Sequence, residues 1–167
     1  GSIHGPMITT LFKEPEWSLM RLRNLLFEGY VDDIKGTPLK KGIAKGEIVV
    51  SNLTIASFLI GTNHFPILEG KIIVFEDINE DIYKIDRMFT YLRMTQKLNG
   101  IVGIGFGSFS DDLFNPEWKD LLKRLIIERF QEFDIPILFD LPIGHLSGNA
   151  CIPLGCEATL NGNDGNL

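Results

Sequence analysis

The stretch Gly70 to Asp77, GKIIVFED, constrains this chain more than any other, because it ends an apolar run in two acids that nothing local explains. Ile72, Ile73, Val74 and Phe75 are β-branched or aromatic and uninterrupted by charge, which predicts a strand covered on both faces inside a sheet. Glu76 and Asp77 stand at its C-terminal mouth. In open α/β sheets ligands and catalytic groups collect there, because loops converge over strands that hold them still.

Strands and helices alternate around that stretch. Ile3 to Thr10 is a short apolar opening with no sheet to join, and Glu16 to Phe27 reads as a helix whose Leu19, Leu22, Leu25 and Leu26 form a face to bury. Residues Glu28 to Lys41 lack periodicity and carry Gly36 and Pro38, which predicts a linker. Ile43 to Val50 reads as a bent strand; Ser51 or Asn52 can cap a short helix with Leu53, Ile55, Ala56 and Leu59 that stops at Gly61. In Glu80 to Leu98, Ile82, Ile85, Phe89 and Leu92 recur at helical spacing, so that helix should lie on the sheet. Ile101 to Phe106 is a second buried strand, and Asn115-Pro116 opens a helix that buries Trp118, Leu122, Leu125 and Ile126 and runs to about Phe133. Ile135 to Phe139 is a third strand, leaving through LPIGHLSG with His145, and Ala150 to Leu160 holds one or two short strands separated by Pro153 and Gly155. The expected class is α/β, with a partly parallel sheet flanked by helices.

Composition narrows the function classes. A chain of 167 residues with 44% hydrophobic and 23% charged residues has the balance of an ordinary globular domain. A net charge of −6 argues against nucleic acid, which wants clustered cations, and Lys40, Lys41 and Lys45 read as a solvated face. There is no apolar run of about 18 residues, so no membrane span is expected. Cys151 and Cys156 fit neither a disulfide framework nor a zinc site and read as reduced packing residues of a cytoplasmic protein. Gly1-Ser2 resembles a cleavage scar, and residues 3–41 read as the tail of a preceding domain plus its linker, with the main domain over 42–167.

Glu76 follows one buried strand and His145 another. If those strands are parallel neighbours in one sheet, both side chains emerge at the same rim, where a carboxylate on imidazole Nδ1–H leaves Nε2 as a general base. The same residues also fit a hydrogen-bonded surface histidine and a pair of helix-start charges.

FED after an apolar strand, then NEDIYKIDRM, a Gly-rich buried strand and PILFDLPIGHLSGNACIPLG together resemble the C-terminal half of the LD-carboxypeptidase family of serine peptidases, which includes the microcin immunity peptidases. HGPM at His4 to Met7 resembles the segment after that family's nucleophile-bearing region, and SNLTIASFLIGT its Gly-Gly-Asn-Leu block. The resemblance implies a swivelling β/β/α-type C-terminal domain, Glu76 as the acid and His145 as the base of a Ser-Glu-His triad, and no cofactor or metal. The implied activity is release of terminal D-Ala from cytoplasmic muropeptides during peptidoglycan recycling; the family's peptidyl-nucleotide hydrolysis is one alternative, and a non-catalytic binding domain of the same fold another. Val50-Ser51, standing where the family has a glycine pair, motivates the last. Homodimers are common in the family. Its serine sits on a Gly-x-Ser-Asp elbow in an N-terminal domain, and neither that motif nor Gly-x-Ser-x-Gly occurs in this sequence. The nucleophile is therefore expected outside this chain, and the chain alone is expected to be inactive.

Other motifs carry less. Gly100, Gly103, Gly105 and Gly107 read as close backbone packing rather than a dinucleotide loop. His4, His64 and His145 lack metal-ligand spacing; His64 reads as a turn residue, with a place at the site mouth as the alternative, and Asp86-Arg87 as a surface ion pair, with recognition of a substrate carboxylate as the alternative. Ser147 is too near His145 in sequence to be placed for attack.

Overall fold

The computed structural model describes residues 1–109 and 116–167. In chain order the elements are β1 (Ser2–His4), a 3-10 turn (Ile8–Lys13), α1 (Glu16–Glu28), β2 (Thr37–Lys40), β3 (Ile43–Asn52) and α2 (Leu53–Leu59). They continue with β4 (Lys71–Asp77), α3 (Ile82–Met94), β5 (Gly103–Phe109), α4 (Pro116–Phe130), β6 (Ile137–Phe139), β7 (Ile152–Leu154) and β8 (Glu157–Asn161). The helix cap expected at Asn115 lies outside the described residues.

The main sheet has the order β2-β6-β5-β4-β3-β8. Its four central strands are parallel, and β2 and β8 close the edges antiparallel, so the expected α/β class with a partly parallel sheet is the one observed. Alternation along each strand divides the side chains between two cores. Ile73 and Phe75 of β4, Ile104 and Phe106 of β5, and Ile137 and Phe139 of β6 meet α2, α3 and α4 on one face. Phe89, Phe106 and Phe130 interlock there edge to face, with ring centroids 5.2–5.6 Å apart. On the other face Ile72, Val74 and Leu138 meet Leu141, Ile143, Ala150 and Ile152, the return path of the chain.

The glycines of β5 face that second side. A Cβ at Gly105 would stand 2.7 Å from Leu141 Cδ1, and one at Gly107 would overlap the Ile143 carbonyl oxygen. Close packing is thus what these glycines permit, and it presses the 141–144 segment onto the strand.

Five local expectations are corrected. The leucine face of α1 is not its buried face: Leu19 and Leu26 are exposed, while Ser18 and Arg21 turn inward. The reason is hydrogen bonding, since the helix meets backbone carbonyls that need donors. Ser18 Oγ donates to Asn149 O at 2.8 Å and Arg21 Nε to Cys151 O at 3.0 Å. Residues 37–40, within the expected linker, form β2, and the opening segment does find a partner, with β1 pairing antiparallel to β7. Pro153 lies inside β7 rather than between two strands. Asp86 pairs with Arg129 of α4 in a two-bond contact at 2.5 and 3.1 Å rather than with Arg87, whose guanidinium lies over the Tyr83 ring.

Candidate active site

Alternation sends the two acids at the end of β4 to opposite faces. Asp77 turns toward α2, where its carboxylate accepts from Asn52 Nδ2 (3.0 Å), Thr54 N (3.0 Å), Thr54 Oγ1 (2.9 Å) and Ile78 N (2.8 Å). With its acceptor sites occupied and a helix N-terminus beside it, Asp77 holds structure. Asn52 caps the same helix, its side chain accepting from Ile55 N at 3.0 Å. Val50 and Ser51, upstream of that cap, are regular strand residues paired with Val74 and Phe75.

Glu76 turns the other way, continuing the face of Ile72 and Val74 toward the chain that leaves β6. His145 Nδ1 lies 2.7 Å from Glu76 Oε2. Because an ionised carboxylate only accepts, the ring nitrogen is the donor, and Nε2 is left for whatever enters from solvent. The environments of the partners differ sharply: the Glu76 side chain is 2% exposed and that of His145 42%. Burial pushes the Glu76 carboxyl above its ordinary range, opposed chiefly by the hydrogen bond and charge of His145.

The loop around His145 depends on Gly144, whose φ of +125° is open only to glycine. A Cβ there would sit 2.7 Å from Ser108 Oγ and 3.0 Å from Glu76 Oε2. The loop is then tied to the N-terminal arm. Glu14 Oε2 accepts from Gly148 N at 2.9 Å and Asn149 N at 3.1 Å, while Asn149 Oδ1 accepts from Gly144 N at 3.1 Å. Ser147 Oγ donates to Lys13 O at 3.1 Å.

A cleft of about 370 Å³ opens here, lined by His145, Gly144 and Asn149 from the loop and by His4, Met7 and Glu14 from the arm. His4 comes close to the acid as well, its Nε2 4.0 Å from Glu76 Oε1. Burial first, and the nearby charge of His145 second, lower the His4 pKa.

The structure therefore brings Glu76 and His145 together and leaves His64 apart, in an exposed turn where its N–H bonds Thr62 Oγ1. No cluster of three potential metal ligands occurs among the described residues. Both cysteines are free thiols, Cys151 buried and Cys156 exposed. Sequence alone does not place His4, Glu14, Ser18 and Asn149 beside the site. Their contacts with it join residues that are mostly far apart in the chain, and the local signals are the HGP at the start and the GNA that holds Asn149.

This chain belongs to the LD-carboxypeptidase C-terminal domain family, which matches residues 45–160. A Synechocystis sp. protein named as a carboxypeptidase is 38% identical over 99% of this chain and 56% of its own length. The murein tetrapeptide carboxypeptidase of Pseudomonas aeruginosa is 30% identical over 97% of this chain and 56% of its own. Among solved structures, a muramoyltetrapeptide carboxypeptidase from Oxalobacter formigenes shares the fold with a TM-score of 0.82, at 22% identity over 99% of this chain and 58% of that one. The chain thus spans a little over half the length of the relatives it matches.

Proposed function

We propose that this chain is the C-terminal half of a serine carboxypeptidase that releases terminal D-Ala from muropeptides in the cytoplasm, with Glu76 and His145 as acid and base of a triad whose serine lies on an N-terminal domain. The observation that carries this reading is the 2.7 Å contact between a buried carboxylate and an exposed imidazole at the rim of a cleft. In the proposed reaction the serine hydroxyl attacks the carbonyl that precedes D-Ala, and His145 Nε2 takes its proton. The tetrahedral intermediate collapses as His145 gives that proton to the departing amine, and water then repeats the sequence on the acyl-enzyme. Glu76 keeps Nδ1 protonated and stabilises the imidazolium. The name of the Pseudomonas aeruginosa relative supports the substrate class.

D-Ala release by the full-length protein from a D-Ala-terminated tetrapeptide tests this. His145→Ala and Glu76→Gln should each lower kcat by roughly 10³-fold or more. Unchanged rates in either variant would overturn the triad, and hydrolysis of a peptidyl-nucleotide in place of the tetrapeptide would overturn the substrate.

A further inference from the structure

We propose that His4 is a positioning residue for Glu76, its imidazole taking the second carboxylate oxygen, Oε1, while His145 takes Oε2. The proposal rests on the reading of Glu76 as the triad acid and adds a residue from outside the 45–160 region that the family matches.

Three observations converge on it. First, the ring is held in place by backbone rather than by chance. His4 pairs with Ile152 in the β1–β7 ladder, and Gly5 passes so close to Cys151 that a Cβ at residue 5 would stand 2.9 Å from the Cys151 Cβ. Second, the two imidazoles approach one carboxylate from its two oxygens, His145 Nδ1 at 2.7 Å from Oε2 and His4 Nε2 at 4.0 Å from Oε1. A separation of 4.0 Å is too long for a direct hydrogen bond, but a bridging water or a small side-chain rotation spans it. Third, His4 Nδ1 is buried with no hydrogen-bond partner among the described residues, so none of them draws this ring's proton away from Nε2 and Glu76.

The consequence is orientation. A buried carboxylate held at one oxygen can turn about its terminal torsion, and a second donor at Oε1 fixes its plane so that Oε2 stays on His145. This works only while His4 is neutral, because an imidazolium there would repel the one His145 must become. Burial and His145 both favour the neutral ring. Among the described residues, the charged or titratable groups around His4 are Glu76 on β4, His145 on the loop after β6, Lys13 and Glu14 on the arm, and Cys151 beside Gly5. Asp77 adjoins Glu76 but is engaged on the opposite face.

The test titrates the imidazoles and the Glu76 carboxyl by NMR. In Glu76→Gln, the loss of a carboxylate at this distance should lower the His4 midpoint by about one pH unit. In His4→Phe, the Glu76 carboxyl midpoint should rise, and His4→Gln, whose amide keeps a donor near Oε1, should return it toward the parent value. A merely structural role for residue 4 predicts no such rescue. A His4 midpoint that ignores Glu76→Gln overturns the proposal, and that measurement leaves residue 4 untouched even if His4→Phe fails to fold. Neither titration depends on hydrolysis. Uncoupled titrations in a protein that still releases D-Ala remove His4 alone; coupled titrations in a protein that releases none leave His4 as Glu76's partner and remove the proposed function.

Discussion

Glu76 and Asp77 are adjacent in sequence and opposite in environment, and the difference sets what each can do. Both are buried, but Asp77 is surrounded by donors, whereas the Glu76 carboxyl is pushed upward by desolvation. Because the folded chain holds the Glu76 proton to higher pH than the unfolded chain, this group's contribution to stability falls as pH rises above the ordinary glutamate range and levels off below it. Glu76→Gln should therefore raise the thermal midpoint at pH 7, with the gain shrinking toward zero by about pH 4; a Glu76→Gln chain less stable than the parent at pH 7 would contradict the assignment. Gly144 makes a second residue-scale prediction. Gly144→Ala forces a side chain against Glu76 Oε2 and Ser108 Oγ at a φ of +125°, so the His145–Glu76 contact should open and full-length activity fall at least tenfold, while parent-like activity would show the loop can yield.

At the scale of elements, the His145 loop is braced by the N-terminal arm through Glu14. Glu14→Ala strips the acceptor from two loop amides, so Gly148 and Asn149 N–H should exchange with solvent about tenfold faster or more, a local loss of about 1–3 kcal/mol; unchanged exchange would show the brace is idle. Phe130→Ala removes one ring of the three-phenylalanine contact beneath α4 and should cost about 3–5 kcal/mol by denaturant melt. These elements also mark how far sequence reasoning reaches. α3 is legible because Ile85, Phe89 and Leu92 show a strong helical period and are the residues buried. α1 misleads because its leucines suggest an apolar face, while the contact that decides its orientation is hydrogen bonding by Ser18 and Arg21 to the loop before β7, more than a hundred residues away. β2 is missed because a four-residue edge strand containing Pro38 carries no alternation to detect.

At the scale of the molecule, a parallel central sheet puts the exits of β4 and β6 at one rim, which is why two residues 69 positions apart meet. That arrangement could be anticipated from buried strands ending in FED and leading into IGH. The arm could not, since its approach to the site is set by the β1–β7 ladder and the small residue Gly5. The ring tautomer of His145 tests the arrangement most directly. Nitrogen-15 NMR of the imidazole at neutral pH should find the proton on Nδ1, with a strongly downfield hydrogen-bonded resonance that is lost in Glu76→Ala. A ring protonated on Nε2, or a spectrum indifferent to Glu76→Ala, would contradict a buried acid holding an exposed base.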